Sequence, residues 1–193
     1  MLFRSIQLIV TSWVGCREDA YGIAARAVPL LAQGEVSVGV GAGLAMPVGD
    51  FRDETNPGYR LLASVEAGLP ELPVGLRIDG AYDRFGFKST LPGAVGSETG
   101  AQTIASASVN LVFGPRTSPP TLLPYAIVGL GMSHIGCAGR DDCGTSNLMG
   151  WNAGIGTRFG VLSRTGFAEA RLHWVPGSVS DLYYLPVTVG LRF

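Results

Sequence analysis

The nine residues Leu185-Pro-Val-Thr-Val-Gly-Leu-Arg-Phe193 decide how the rest of the sequence is interpreted. Apolar side chains alternate there with small or polar ones: Val187, Val189, Leu191 and Phe193 against Thr188, Gly190 and Arg192. Successive side chains of a β-strand point to opposite faces, so this period of two predicts a strand with one apolar and one polar face. An apolar face against lipid, with an aromatic residue at the membrane–water interface, accounts for a strand that ends on Phe193.

The composition favours a membrane barrel over a helical membrane protein or a typical soluble domain. Only 15% of the 193 residues are charged and 28 are Gly, whereas about a quarter of the residues in a typical soluble domain are charged. No uninterrupted apolar run reaches the length of about 18 residues that a transmembrane helix needs. Barrel strands are only half apolar, which fits the hydrophobic fraction of 47%. The net charge of −1 gives no indication of nucleic-acid binding.

Residues 1–34 lack the alternation and are expected to be an irregular export leader. Arg4 precedes the apolar stretch 5–14, which is typical of the hydrophobic region of a secretory signal. Ala27 and Ala32 are both compatible with cleavage, so the cleavage site stays open. Lipidation at Cys16 is a weaker alternative. Residues 35–193 are then expected to form one β-barrel domain.

The alternation of the last strand recurs throughout 35–193 and predicts eight strands of about ten residues, the length with which a tilted strand crosses a bilayer. The predicted strands are 36–46, 61–68, 74–83, 103–113, 125–132, 151–159, 168–174 and 185–193. The connections after the odd-numbered strands are mostly longer and polar, including a loop from Ile135 to Leu148. Those after the even-numbered strands are short or Pro-rich. Short periplasmic turns opposite longer external loops are characteristic of bacterial outer-membrane barrels.

The charges within the predicted strands lie on the face that carries glycine and serine, which in a membrane barrel is the lumen. These residues form the predicted lumenal polar network: Glu66, Arg77, Asp79, Arg158, Glu169, Arg171, His173 and Arg192. Acids and bases in roughly equal number can pair inside the barrel. Because side chains just fill the interior of an eight-stranded barrel, we expect a plugged lumen. An acid–base catalytic pair among these residues is a much weaker interpretation than structural ion pairs.

Aromatic residues near the strand ends predict two interfacial girdles. Phe113, Phe159, Phe167 and Phe193 are expected near the periplasmic rim, and Tyr59, Tyr82, Trp151, Trp174 and Tyr183 near the outer rim.

Two cysteines, Cys137 and Cys143, flank a short segment of the third predicted long loop. In an exported protein they are expected to form a disulfide, since the compartment is oxidising; two free thiols are the alternative. The neighbouring Asp141 and Asp142 are interpreted as solvated acids. No metal and no cofactor is expected, because no further Cys or His pair lies nearby.

Taken together, these patterns resemble the small outer-membrane β-barrel family of the OmpA transmembrane-domain and opacity-protein type. The resemblance lies in four segments: the Gly-rich first strand, Pro124-Tyr-Ala-Ile-Val-Gly-Leu-Gly131, Phe167-Ala-Glu-Ala-Arg-Leu-His-Trp174 and Val187-Thr-Val-Gly-Leu-Arg-Phe193. It implies an all-β fold, an eight-stranded antiparallel up-and-down transmembrane β-barrel in the bacterial outer membrane. It also implies that Phe193 is an assembly signal read by the barrel-assembly machinery, and that outer-membrane lipids are partners of a monomer.

The expected function is non-enzymatic: envelope integrity, or adhesion through external loops to an unidentified extracellular ligand. A narrow passive channel is one alternative. A lipid A-modifying barrel enzyme is another, since Ser133 and His134 lie near the outer end of the fifth predicted strand. Adjacent strand residues point to opposite faces, which argues against these two acting on each other.

Overall fold

In the computed structural model, eight strands follow one another around a closed barrel. The structure describes residues 36–69, 72–88, 100–115, 122–138, 144–177 and 181–193, so the predicted leader lies outside the described residues. The elements are β1 (Val36–Val48), α1 (Phe51–Glu54), β2 (Gly58–Gly68), β3 (Val74–Gly86), β4 (Ala101–Phe113), β5 (Leu123–Ala138), β6 (Ser146–Val161), β7 (Arg164–Val175) and β8 (Leu182–Arg192). Within those ranges, no helix has the length and apolar character needed to cross a membrane.

The barrel closes where the last strand pairs with the first. β8 runs antiparallel to β1, from Val48 opposite Tyr183 to Gly39 opposite Arg192. Phe193 extends this ladder by one residue, since its backbone N–H donates to the Val38 carbonyl at 2.8 Å and its carbonyl accepts from the Val38 N–H at 3.0 Å. Every strand therefore has a neighbour on both sides, and the backbone polar groups have no open edge. The predicted eight-stranded antiparallel up-and-down barrel is confirmed.

The two faces of the wall have the inverted polarity of a membrane barrel. Apolar side chains on the outside are strongly exposed, with 66% of Leu130, 70% of Ile155 and 52% of Val109 accessible. Most charged side chains of the strands face inward, and both Arg77 and Glu169 are less than 5% exposed. A barrel in water would show the reverse, because exposed apolar surface of this extent is favourable only against lipid.

Several strands are longer than predicted. β5 and β6 have 16 residues each, so the predicted loop from Ile135 to Leu148 is wrong: its two ends continue the paired strands. The outward positions at this end include His134 and Asn147, since a strand that projects beyond the bilayer keeps its backbone pairing without needing an apolar outer face. The alternation therefore fades before the strand ends.

The connections between strands lie alternately at the two ends of the barrel. Those after β1, β3, β5 and β7 share one end, which we take as the external end because they include the longer connections. The turn between β6 and β7 is only two residues long, Leu162 and Ser163, at the opposite end. The short helix α1 belongs to the first external connection and follows Gly49, whose φ of 61° suits a residue without a Cβ.

Charge placed on the outer wall should destabilise the barrel according to depth. We expect Val109→Arg, in the middle of β4, to lower the free energy of unfolding by about 2–4 kcal/mol, and Thr103→Arg, near its external end, by about 1 kcal/mol or less. Urea unfolding of protein refolded into lipid vesicles measures both. Equal small effects would contradict a lipid-facing wall, since arginine at an exposed position in water is nearly neutral.

Candidate functional site

Four charged side chains form a closed ring across the middle of the lumen. Arg77 and Asp79 come from β3, and Glu169 and Arg171 come from β7, which lies opposite in the barrel. Arg77 contacts Asp79 at 2.7 Å and Glu169 at 2.9 Å, and Arg171 contacts the same two carboxylates at 2.6 Å and 2.5 Å. Each arginine thus meets both acids, and two positive charges balance two negative charges. Desolvated charges need this complete pairing.

Neutral polar side chains satisfy the remaining acceptors of the ring. The Tyr125 hydroxyl donates to Glu169 Oε2 at 2.8 Å. The Asn110 amide donates to Asp79 Oδ2 at 3.0 Å, and the Asn152 amide donates to Asn110 Oδ1 at 2.9 Å. The network therefore draws on β3, β4, β5, β6 and β7, which fixes these strands relative to one another.

A second cluster lies toward the periplasmic end. Arg158 of β6 contacts Glu66 of β2 at 2.8 Å, and Arg192 of β8 contacts the other oxygen of Glu66 at 3.2 Å. Arg192 also donates to the Ser37 hydroxyl. The guanidinium carbon of Arg158 lies 4.8 Å from the ring centre of Tyr125, so this tyrosine links the second cluster to the central ring. The cluster carries one more positive than negative charge.

A third ion pair, Arg60 with Asp83, lies nearer the external end and was missed from the predicted network. The two residues are paired in register between β2 and β3, and their side chains meet at 3.1 Å with almost no exposure. Arg60 was missed because the second strand was predicted to begin at Leu61. Alternation could have placed it in the lumen, since Arg60 is six residues before Glu66 on the same strand and residues an even number apart share a face.

Apolar side chains close the external mouth of the lumen. Phe51 of α1 packs edge-on against Phe85 at 5.0 Å between ring centres, and Phe85 packs against Tyr184 at 5.8 Å. His173, placed in the lumen, stacks on Tyr184 at 4.7 Å. The full buried cluster is Ala45, Phe51, Phe85, Ile104, Val175, Leu182 and Tyr184. The sequence predicts a filled lumen but not this apolar cluster at its mouth, because Phe51 lies outside any strand.

Glycines on the inner face make room for the large lumenal side chains. A Cβ on Gly156 would overlap the ring of Tyr125, and a Cβ on Gly41 would lie 3.0 Å from the ring of Phe167. Phe167 itself is 1% exposed, so its predicted place in the periplasmic girdle is wrong: its parity puts it in the lumen, beneath the guanidinium of Arg77.

The outer rim carries an aromatic group on neighbouring strands. Trp151 packs edge-on against Trp174, which stacks on Tyr183. Asp181 accepts hydrogen bonds from the Trp174 indole at 3.0 Å and from the Tyr183 hydroxyl at 3.3 Å. This arrangement suits a membrane–water interface, where one end of the ring is apolar and the other is hydrated.

Ser133 and His134 lie on opposite faces of the wall. Ser133 faces the lumen and is 6% exposed, whereas His134 is exposed on the outside, where its Nδ1 lies 2.8 Å from Asn147 Oδ1. The structure therefore does not bring them together as a nucleophile and base.

Cys137 is disulfide-bonded in the structure. Its predicted partner Cys143 lies outside the described residues, as do Asp141 and Asp142, so the Cys137–Cys143 pairing stays a prediction. Among the described residues, no group of three or more His, Cys, Asp and Glu is placed to hold a metal ion.

Removing one charge of the central ring should lower the free energy of unfolding strongly. Removing one charge of each sign should lower it by less than the two single changes added together. We expect Arg171→Met to lower the free energy of unfolding by about 3–5 kcal/mol, because two buried acids then share Arg77. Adding Glu169→Gln restores charge balance, so the double variant should lose less than the sum of the single variants. Urea unfolding in lipid vesicles measures the coupling. Arg164→Met, at an exposed site, is the control. Additive losses would contradict a coupled ring.

Solved structures with the same fold are outer-membrane barrels. No family model matches the sequence, and no curated protein matches it. The structure is similar to Neisserial surface protein A (14% identity, 81% of this chain and 95% of that one, TM-score 0.60). It is also similar to Ail, the attachment invasion locus protein of Yersinia pestis (16%, 83% and 99%, 0.50), and to a major outer membrane protein of Thermus thermophilus (14%, 82% and 100%, 0.50). With its exposed apolar outer wall and closed eight-stranded topology, the chain has the fold of the small bacterial outer-membrane β-barrels.

Proposed function

We propose that this protein is a non-enzymatic, monomeric outer-membrane barrel that presents its external end to molecules outside the cell. The observation that carries the proposal is the filled lumen. In the described part of the chain, ion pairs and apolar clusters occupy the interior from the periplasmic cluster to the external plug. Contacts with other molecules are therefore left to the external end and the lipid-facing wall.

The filled lumen argues against the alternative of a passive channel. Arg77 and Glu169 meet across the barrel from opposite strands at 2.9 Å, which leaves no space for a column of water between them. Opening a path would require breaking ion pairs that have little access to solvent, at a cost of several kcal/mol. A static, structural role for the lumen fits these contacts better than conduction.

The geometry at Ser133 and His134 argues against the alternative of a lipid-modifying enzyme. A nucleophilic mechanism needs the two side chains within hydrogen-bond reach. The wall of the barrel lies between them, and His134 is instead paired with Asn147.

The external end has a folded platform that supports a surface role. The Thr55 hydroxyl donates to the Phe51 carbonyl at 2.7 Å, and the Lys88 N–H donates to the Glu54 carbonyl at 2.9 Å, which joins the first connection to the end of β3. Phe51 points into the mouth while Arg52 and Asp53 are exposed. A platform held in this way can present side chains without first having to be ordered.

An attachment role is compatible with this fold, since Ail of Yersinia pestis is named as an attachment and invasion protein. We propose outer-membrane lipids and the barrel-assembly machinery as the partners of this chain inside the envelope.

Replacing residues of the connection between β3 and β4 should separate surface interaction from envelope integrity. We expect a Gly-Ser segment of equal length at 89–99 to reduce attachment of intact cells to matrix-coated surfaces to the level of cells without the protein. Resistance to detergent and vancomycin should stay unchanged, because the barrel is intact. The measurements are counts of attached cells and minimal inhibitory concentrations.

The matched control replaces residues 116–121, between β4 and β5, by the same kind of segment. Trypsin cleavage near Arg140 in intact cells verifies that the odd-numbered connections are outside. Normal attachment by the 89–99 variant, together with loss of integrity when the whole protein is removed, would overturn the surface role in favour of a structural one.

Removing the ring of Phe193 should impair assembly more than stability. Phe193 is 54% exposed, and its ring centre lies 4.7 Å from the guanidinium carbon of Arg164, a contact worth about 0.5–1 kcal/mol at an exposed site. We therefore expect Phe193→Ala to change the unfolding free energy of refolded protein by about 1 kcal/mol, while its level in the outer membrane falls severalfold. Leu191→Ala, on the same face of β8, is the control. Normal outer-membrane levels of Phe193→Ala would show that Phe193 is not an assembly signal.

A further inference from the structure

The outer wall contains a groove of about 710 Å³ that crosses β2 to β6. Its floor is made of residues no larger than alanine: Ala63, Gly80, Ala105 and Ala107. Leu61 and Tyr82 form one side, and Met132 forms the other. A Cβ on Gly80 would meet no atom within 4 Å, so the floor is low because its side chains are small. The groove is an open depression along the wall and not an enclosed cavity.

The external end of the groove is polar and the rest is apolar. His134 and Asn147 line that end and bond to each other. In the pairing register, Tyr82, Ala105, His134 and Asn147 form one row, and Arg84 lies in the next outward-facing row toward the external end. The groove therefore ends at this polar row, and the cationic side chain of Arg84 lies one outward-facing row beyond it, closer to the outer rim.

Arg84 is unusual among the outward-facing residues. Within the described strands, the other outward-facing charge is Arg164, which lies at the periplasmic end against Phe193. The Arg84 side chain is exposed and makes no ion pair with a described residue. Arg60 on the neighbouring strand β2, by contrast, is buried in the lumen and pairs with Asp83. A guanidinium at the membrane surface binds phosphate groups well, because its planar donors match two phosphate oxygens.

We propose that the groove holds an acyl chain of a phosphorylated glycolipid of the outer leaflet, of the lipid A type, with a phosphate on Arg84. The apolar floor suits the chain, and the polar row with His134 lies at the level where the chain joins its headgroup. The external position of Arg84 selects the outer leaflet. The proposal goes beyond the surface role, since it involves the wall and not the loops.

A second copy of this chain fits the groove less well. A twofold interface places the same patch on both partners, so two concave floors would face each other across a void. A void between apolar surfaces loses the packing contacts that would hold a dimer together. A flexible acyl chain is narrow enough to fill such a groove and is abundant around the wall.

The test compares two additions of the same size on the outer wall. Ala107→Leu fills the groove, and Ala42→Leu makes the identical change on β1, outside it; both alanines are exposed. Arg84→Gln removes the cation and keeps a side chain of similar length. Binding of diphosphoryl lipid A, its dephosphorylated form and dioleoyl phosphatidylglycerol to the full-length protein in neutral detergent is measured by native mass spectrometry. Heat-modifiable gel mobility verifies folding of each variant.

We expect one diphosphoryl lipid A per native barrel, with affinity at least tenfold lower in Ala107→Leu and within twofold of native in Ala42→Leu. Arg84→Gln should remove the preference for the phosphorylated form. Equal binding by the two leucine variants would overturn the groove as the site, and an unchanged phosphate preference in Arg84→Gln would overturn the headgroup contact. Equal binding of phosphatidylglycerol would overturn the glycolipid as occupant. A native dimer that Ala107→Leu abolishes would replace the lipid by a second copy.

Discussion

The closed ion-pair ring of Arg77, Asp79, Glu169 and Arg171 is the interaction on which the interior depends. An eight-stranded barrel has room for side chains but not for bulk water, so a charge inside it must find its partner among the other lumenal side chains. The ring does this between β3 and β7, on opposite sides of the lumen. A strand shifted by one residue would turn these charges toward lipid, and the ring therefore also specifies register.

The ring is possible because other inner-face residues are small. Two arginines and a tyrosine occupy the centre of the lumen, and Gly156 leaves the space that the Tyr125 ring fills. Glycine is thus abundant in the sequence because the long lumenal side chains need space on the inner face. Glycine has a conformational cost in a strand, which the packing of the larger neighbour offsets.

Much of the fold follows from the sequence, because a membrane barrel reverses polarity at every residue. The parity of Val187, Val189 and Leu191 predicted the outer face, and the same alternation placed Glu66 and Glu169 inside. Parity cannot say which residues on opposite strands meet, since that depends on strand tilt and register around the whole barrel. The pairing of Glu66 with Arg158, and the contact of Arg171 with both acids of the central ring, therefore needed the structure.

The features missed by sequence reasoning lie where the bilayer no longer dictates the pattern. Arg60 and the external ends of β5 and β6 are near or beyond the external end of the barrel, where outward positions need not be apolar. Phe51 enters the lumen from a connection, for which no periodicity exists. The same freedom is what makes the external end the place for function: in the bilayer each residue is committed to lipid or to lumenal packing, whereas at the rim a residue such as Arg84 can be selected for what it binds.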